Sequence, residues 1–273
     1  MNEILVIGAT GTTGTRISTF LRERGIGVRE ATRTPGPDAA QVRFDWADSE
    51  THAPALEGVS AVYLIAPIGV ADPAPLVRPF LDEAVRRGVR RAVVLGSSAI
   101  QEADHGMGAL YRLVRTTMPE WAVLRPSWFM QNFTGELPLA RDVRAGEIVT
   151  ATGTGRVAFI DADDIAAVGG HALIDPIAHN TEHILTGPQA LSYAEAAAII
   201  AARTGKSVTH QTITPDELAA RLVAYGIPED FAAMLAALDD DIRAGTQDHV
   251  TDTVLRVTGR APRSFGEFID KEL

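Results

Sequence analysis

The chain has 273 residues, a formal net charge of −10 at neutral pH and no cysteine. This length allows one large α/β domain, alone or with an appended lobe, and the acidic balance argues against a nucleic-acid-binding surface, which is normally basic. Without cysteine, disulfides, thiolate catalysis and cysteine metal sites are excluded, and no apolar stretch approaches the ~20 residues of a membrane span, so we expect a cytoplasmic protein with neither nucleic-acid nor membrane partners.

Short apolar runs alternate with helical patterns through the first half of the chain, which is typical of a parallel sheet with crossover helices. The pattern predicts strands at residues 3–7, 27–31, 41–45, 61–65, 92–95 and 122–125. The clearest helices predicted between them cover residues 15–24, 75–87 and 110–117. The fold class we expect is therefore α/β, a Rossmann-type doubly wound parallel sheet.

After Pro126 the pattern becomes mostly helical. Helices are expected up to residue 174, from the Ser192–Glu195 capping box to about residue 203, and at residues 215–225 and 229–244, before a loose C-terminal tail. A strand and turn are expected at residues 185–188. We predict a nucleotide-binding domain over residues 1–150 and a smaller substrate-binding cap over residues 151–273, with residues 127–150 contributing to the pocket.

A glycine loop, Gly8 to Gly14, lies between the first strand and the first helix. Gly8 allows a tight turn, Gly11 lets backbone approach a phosphate, and Gly14 lets the helix pack closely on the strand. A dinucleotide pyrophosphate would then rest on the free N–H groups at the positive end of the helix. The order strand, glycine loop, helix therefore predicts nucleotide binding.

Arg33 follows the second strand, where an acidic residue would bind the ribose of NAD and an arginine suits the 2′-phosphate of NADP. Glu30 lies close by, so NAD stays open while NADP is favoured. The other residues assigned to the cofactor lie in the glycine loop, at the carboxyl ends of later strands or just beyond them. The full set is Gly8, Thr10, Gly11, Thr12, Thr13, Gly14, Arg33, Asp45, Ala66, Pro67, Ser97, Pro126 and Phe129.

Several sequence blocks resemble the NmrA-like family of atypical short-chain dehydrogenases/reductases. They are the first βαβ unit, LGSS (95–98), LRPSWFMQNF (124–133), FIDADDIA (159–166), LTGP (185–188) and VxxVTGRxP (254–262). The resemblance covers essentially the whole chain. It implies a Rossmann fold, NAD(P) binding and a substrate pocket between the nucleotide domain and the cap. Members are similar to quinone reductases, ether and isoflavone-type reductases, ketone or imine reductases of secondary metabolism, and redox-sensing regulators.

The proton donor of the reaction is not obvious. Most short-chain dehydrogenases pair a tyrosine with a lysine four residues on, but the two lysines here, Lys206 and Lys271, both lie in the predicted cap. The candidate catalytic residues are Tyr111, Ser98 and His105. Tyr111 is a candidate because it stands thirteen residues after Ser98 and is followed four residues later by Arg115. For each, a structural or solvated role stays open, and for Tyr111 helix packing is favoured.

The aromatic stretch Trp128–Phe133 follows the last predicted strand, so one or two of its side chains are expected to line the pocket. A metal is not expected, because His179 and His183 have metal-pair spacing but no third ligand. We therefore predict an NAD(P)H-dependent reductase of a small apolar carbonyl, quinone or aromatic polyketide-like substrate. A catalytically silent NAD(P) sensor and a tailoring enzyme with non-hydride chemistry are the alternatives, and a homodimer is left open.

Overall fold

The computed structural model of the protein describes residues 3 to 273. Its strands are β1 (Glu3–Ile7), β2 (Val28–Thr32), β3 (Gln41–Arg43), β4 (Val59–Ile65), β5 (Arg91–Leu95), β6 (Glu120–Pro126), β7 (Glu147–Thr150), β8 (Arg156–Val157), β9 (Thr181–Leu185), β10 (Leu191–Ser192) and β11 (Thr209–Thr212). Its α-helices are α1 (Thr12–Arg22), α2 (His52–Ala55), α3 (Ala74–Arg86), α4 (Gly106–Thr117), α5 (Pro138–Ala145), α6 (Ala162–Ile174), α7 (Tyr193–Thr204), α8 (Pro215–Ala224), α9 (Glu229–Arg243), α10 (Thr253–Thr258) and α11 (Phe265–Glu272). Short 3-10 turns cover Ser49–Thr51 and Met130–Phe133.

The chain divides into two compact units. The first comprises residues 1–126 and 162–184, and the second comprises residues 127–161 and 185–273. The predicted boundary at residue 150 differs from this division, because the chain enters the second unit directly after β6 and returns to the first for α6 and most of β9. The apolar pattern of α6 does not reveal this return, since it would suit either unit.

The first unit is built on one sheet. Within residues 3–273 this sheet has seven strands in the order β3-β2-β1-β4-β5-β6-β9, and the pairs from β3 to β6 are parallel. The order reverses between β1 and β4, which in open α/β sheets marks where ligands bind at the carboxyl edge. The predicted Rossmann-type fold class is confirmed, and the first six strands lie within two residues of their predicted bounds.

Side chains of β4 show how the sheet is covered on both faces. Val62 and Leu64 belong to the apolar core that also contains Val77 and Phe80 of α3. Tyr63 points to the opposite face, where its hydroxyl donates to Thr13 of α1 at 3.0 Å. Because successive residues of a strand face opposite sides, a continuous apolar run such as residues 61–65 is what a strand buried on both faces requires.

Helices α1 and α6 pack closely because α6 carries two adjacent glycines. A Cβ on Gly169 would lie 2.7 Å from Cδ1 of Ile17, and one on Gly170 would lie 2.8 Å from Cγ of Phe20. Arg16 of α1 also pairs with Asp163 of α6 at 2.7 Å. The contact between these two helices, whose residues Arg16 and Asp163 are 147 positions apart in sequence, fixes α1 behind the glycine loop.

The second unit has two short ladders, β7 with β11 in parallel and β8 with β10 antiparallel, surrounded by helices. Its core is aromatic: the ring centroids of Phe133 and Phe265 are 4.9 Å apart, and those of Phe159 and Tyr193 are 5.2 Å apart. Edge-to-face contacts at such distances add to the burial of the rings. The predicted Ser192–Glu195 capping box is present at the start of α7.

The prediction of a loose C-terminal tail is wrong. The segment contains α10 and α11, and Phe265, Phe268 and Ile269 of α11 are buried in the aromatic core. A capping box also starts α11, in which the side chain of Ser264 accepts from the backbone N–H of Glu267. The helix was missed because it is only eight residues long, too short to show a convincing period.

No helix within residues 3–273 is long and apolar enough to cross a bilayer.

Candidate functional site

The glycine loop has the geometry that a bound pyrophosphate needs. Gly8 follows β1 with φ of +73°, which favours glycine. The N–H of Gly11 donates to the carbonyl of Gly8 at 2.9 Å, and Gly11 is the N-cap residue of α1. A Cβ on Gly14 would lie 2.7 Å from the carbonyl carbon of Gly8, so only glycine lets the helix approach the loop. The roles predicted for Gly8 and Gly14 match these positions.

The N-terminus of α1 is open to an anion. Its first turn holds no acidic side chain, and Thr10, Gly11 and Thr12 are exposed. First-turn N–H groups lack partners within the helix, so they can donate to phosphate oxygens. Thr13 differs from its neighbours because its hydroxyl is buried and accepts from Tyr63, which leaves only its backbone N–H for a ligand.

The end of β2 is cationic, because within residues 3–273 Arg33 is unpaired whereas Glu30 is neutralised by an ion pair. Arg33 is exposed one residue after β2 and makes no hydrogen bond or ion pair with any of residues 3–273. The carboxylate of Glu30, the competing ribose ligand, accepts from Arg22 at 2.8 Å and is largely buried. The negative group is therefore neutralised while the positive one is free, an arrangement suited to a phosphate.

Asp45 lies two residues beyond β3, which ends at Arg43 and so is shorter than predicted. Its Oδ1 accepts from the backbone N–H of Ala47 at 3.0 Å, and its carbonyl oxygen lies 3.2 Å from Nε2 of His52. These contacts close the turn after β3. They give Asp45 a local structural role, and its assignment to the adenine end of the cofactor stays a prediction.

Ala66, Pro67, Ser97 and Pro126 share the carboxyl edge of the sheet. The register pairs Ile65 with Leu95, and Leu95 with Leu124, so the segments that follow these strands are neighbours. The chain after β5 is tied to β6 by the N–H of Ser98, which donates to the carbonyl of Pro126 at 2.9 Å. The sheet thus brings these four predicted residues together beside the glycine loop.

Arg125 holds the loop after β5 in place. Its guanidinium donates to the carbonyl oxygens of Ser97 and Ser98, at 3.4 and 3.2 Å, and to Glu182 of β9 at 2.7 Å. The Arg125 and Glu182 side chains are both mostly buried. A fork of N–H donors fixes both carbonyls at once, which a lysine does not do. Sequence reasoning noted Arg125 only as part of a motif and missed Glu182, 57 residues away.

Tyr111 is fully buried on α4 and contacts the same loop. Its phenolic oxygen accepts from the backbone N–H of Ser97 at 3.0 Å, and burial raises the pKa of the phenol. A Cβ on Gly96 would lie 2.6 Å from Cζ of Tyr111, so the glycine makes room for the ring. Of the two interpretations of Tyr111, these contacts favour the packing role over proton donation.

The remaining catalytic candidates, Ser98 and His105, lie in the segment between β5 and α4. His105 is exposed and is the N-cap residue of α4, without a side-chain capping bond. Ser98 is half-buried, and Oγ of Ser97 accepts from the N–H of Ala99 at 3.2 Å. Arg115 pairs with Glu102 at 2.9 Å, so it does not serve Tyr111 as the four-residue spacing suggested. The proton-donor roles of Ser98 and His105 stay predictions.

The aromatic stretch after β6 belongs to the second unit, where its members separate. Met130 and Phe133 are buried in the core, whereas Phe129 is half-buried and bridges to Ile160. Trp128 lines a cavity of about 390 Å³ that lies wholly within this unit. The assignment of Phe129 to the cofactor stays a prediction.

His179 and His183 do not belong to the group of residues at the carboxyl edge of the parallel strands. Nδ1 of His179 lies 2.8 Å from Nε2 of His183, and its Nε2 lies 3.1 Å from the carboxylate of Asp175. His179 is in a loop and His183 is in β9, not on one helix. Among residues 3–273, no three His, Asp or Glu side chains are grouped to hold a metal ion.

The glycine loop, the open helix N-terminus and the free arginine after β2 define a Rossmann-type dinucleotide-binding protein. Residues 112–269 match the NmrA-like family and residues 8–176 match a family of NAD(P)H-binding proteins, each more than half of the chain. The chain belongs to the NmrA-like family. The predictions of family and cofactor class are confirmed.

Relatives agree with this assignment along the full chain. Uncharacterized oxidoreductase YesF of Bacillus subtilis (strain 168) is 50% identical over 269 residues, which span 98% of this chain and 94% of that protein. Agroclavine dehydrogenase of Claviceps fusiformis is 36% identical over 277 residues, 97% of this chain and 96% of that protein. The protein is an NAD(P)H-dependent oxidoreductase of this family.

A solved structure confirms the fold. The NADPH-dependent quinone oxidoreductase of Escherichia coli, crystallised with NADPH, superimposes with a TM-score of 0.82 at 22% identity. The match covers 97% of this chain and 98% of that one. The Rossmann-type sheet and the smaller, mostly helical part are therefore features shared with a known NADPH-binding structure.

Proposed function

We propose that the protein transfers a hydride from NADPH to a small apolar acceptor, a quinone or an aromatic ketone. The observation that carries the choice of NADPH is the free Arg33 beside a Glu30 that Arg22 neutralises. When bound, NADPH supplies the hydride, and the acceptor takes up that hydride together with one proton. The protein has to hold the cofactor, orient the acceptor and exclude water.

The cofactor fits the residues of the first unit. Gly14 keeps a Cβ away from the backbone of Gly8, and the first turn of α1 offers N–H groups without acidic competition. In this proposal the backbone of residues 10–14 binds the pyrophosphate, and Arg33 binds the 2′-phosphate. Ala66, Pro67 and Ser97 flank the cofactor at the carboxyl edge of the sheet.

Proton delivery does not use the tyrosine–lysine pair of most short-chain dehydrogenases. Both lysines, Lys206 and Lys271, belong to the second unit, and Tyr111 is buried with its oxygen bound to the N–H of Ser97. A quinone suits such a site because its reduced form can take up the proton from solvent after it leaves the closed site. We propose that Tyr111 and Arg125 position the Ser97–Ser98 loop, and that Ser98 contacts the acceptor.

Oxidation of NADPH and NADH by the purified protein tests the proposal, with quinones and aromatic ketones as acceptors and with binding of each cofactor measured alongside. We expect turnover with at least one acceptor and tighter binding of NADPH than of NADH. Tight binding without turnover across the panel would instead support an NAD(P) sensor. Product formed without loss of NADPH would support non-hydride chemistry.

A further inference from the structure

The second unit contains a cavity that the nucleotide site does not use. Its volume is about 390 Å³, within the range of small-molecule pockets. Apolar atoms dominate its wall, and its lining residues include the aromatic Trp128, Tyr193, Tyr225 and Phe231. All lining residues come from this unit.

A carboxylate, Asp239 of α9, lies in this apolar wall. Its Oδ2 accepts from the backbone N–H of Ala151 at 2.8 Å. Its Oδ1 has no hydrogen-bond partner among residues 3–273. Arg243, one turn further along α9, donates to the carbonyl of Ile213 at 3.0 Å and lies 3.9 Å from Asp240, so its guanidinium is engaged elsewhere. Burial raises the pKa of Asp239 to about 6.

The other charges of the cavity wall already have partners. Arg221 pairs with Asp142 at 2.6 Å, and the Tyr225 hydroxyl lies 3.4 Å from the same carboxylate. Within the described residues 3–273, Asp239 is therefore the charged group of this wall that lacks an ion pair. A half-satisfied carboxylate against apolar surface is costly, and a cation that donates to it would offset that cost.

We propose that this cavity binds a small arylalkyl or alicyclic amine, held as its ammonium cation by a hydrogen bond to Oδ1 of Asp239. The aromatic rings around the cavity attract a cation through their π faces and bury its carbon skeleton. The carboxylate supplies a charge-assisted hydrogen bond, which is stronger than one between neutral groups. This site is independent of the proposed reductase activity, because it needs neither NADPH nor turnover.

Calorimetric titration at pH 8 with two matched probes tests the site, on the full chain without NADPH. The probes are 1-naphthylmethylamine, which is cationic, and 1-naphthylmethanol, its neutral counterpart. We expect the wild-type protein to bind the amine at least about tenfold more tightly than the alcohol, as one charge-assisted hydrogen bond allows. Equal affinities, or binding of neither probe, would overturn the proposal without any variant.

The variant Asp239→Asn should remove most of the preference for the amine and leave alcohol binding nearly unchanged. Asp241→Asn is the matched control, since Asp241 is exposed on the same helix and the charge change is identical. An equal loss of amine binding in both variants would point to net charge alone and overturn the role of Asp239. A preference for the amine that survives in Asp239→Asn would overturn it as well.

Discussion

The phenolic oxygen of Tyr111 accepts a hydrogen bond from the backbone N–H of Ser97 at 3.0 Å and so joins α4 to the loop after β5. Arg125 donates to the carbonyls of Ser97 and Ser98 in the same loop. Ser97 and Ser98 are thus positioned by two side chains from different elements. A site residue whose backbone is fixed in this way loses little entropy when it binds a ligand.

Tyr111→Phe separates a positioning role from proton donation. Removing the hydroxyl leaves the N–H of Ser97 without its acceptor, and we expect the free energy of unfolding to fall by about 1–3 kcal/mol. The pH dependence of NADPH oxidation should keep its shape, because no titrating group of the reaction is lost. Urea unfolding and pH–rate profiles check both points. Wild-type stability with loss of one limb of the profile would identify Tyr111 as the proton donor.

Arg33→Ala tests the choice of cofactor. Loss of one charge-assisted contact to a phosphate should weaken NADPH binding by about 10- to 100-fold, and NADH binding should change little. Arg90→Ala is the control, because Arg90 is an exposed arginine that precedes β5 at the opposite edge of the sheet. Fluorescence titration with both cofactors gives the ratio. An unchanged ratio in Arg33→Ala would refute the 2′-phosphate assignment.

Gly14→Ala tests the packing of α1 on the glycine loop. The added Cβ would meet the backbone of Gly8 and Ala9, so we expect a loss of about 1–3 kcal/mol of stability together with weaker NADPH binding. Gly36→Ala is a fair control, since φ there is not positive and the nearest atom, Oε1 of Gln41, is 3.5 Å from the new Cβ. Thermal unfolding with and without NADPH measures both effects. If Gly14→Ala were as stable as Gly36→Ala and bound NADPH as tightly, the close packing of α1 on the glycine loop would be contradicted.

Local pattern predicted much of the first unit. Strands β1, β4 and β5 are largely continuous apolar runs because both faces of the sheet are covered there. The glycine loop was recognisable because Gly8 has a positive φ and Gly14 has no room for a Cβ. The location of the site at the carboxyl edge of the sheet could then be predicted, since parallel strands bring their carboxyl ends to one edge. Gly8, Gly14, Arg33 and Ser97 could be assigned to that edge from sequence.

Contacts between distant residues could not be read in the same way. Glu182 reaches Arg125 across 57 residues, and nothing near Glu182 in the sequence signals the pair. The carboxylate of Asp239 accepts a hydrogen bond from the backbone N–H of Ala151, which lies 88 residues away. The return of α6 to the first unit rests on Gly169 and Gly170 meeting α1, a contact that becomes visible only in three dimensions.

We expect the substitution Asp239→Asn to change how the free energy of unfolding depends on pH. The folded pKa, about 6, is raised by burial, so the proton is bound more tightly in the folded state. The resulting stabilisation is present below the unfolded pKa and is lost as pH rises through about 6, and for the wild-type protein this amounts to at most about 3 kcal/mol. The hydrogen bond from the N–H of Ala151 and the positive charge of Arg243 oppose the rise in the pKa of Asp239. Burial, and in addition the charge of Asp239, raises the pKa of the neighbouring Tyr193.

Urea unfolding of the wild type and Asp239→Asn between pH 4 and pH 8 measures this dependence. We expect the variant to gain stability relative to the wild type as pH rises, whereas Asp241→Asn should run parallel to the wild type. Parallel curves for all three proteins would mean that Asp239 ionises normally in the folded state.

Hydride transfer from NADPH can be measured by anaerobic stoichiometry with NADPH deuterated at C4 of the nicotinamide. We expect one NADPH to be oxidised for each acceptor reduced, and oxidation to be slower when the transferred position carries deuterium. Acceptor consumed while NADPH stays reduced, or NADPH bound tightly and never oxidised by any acceptor, would contradict hydride transfer.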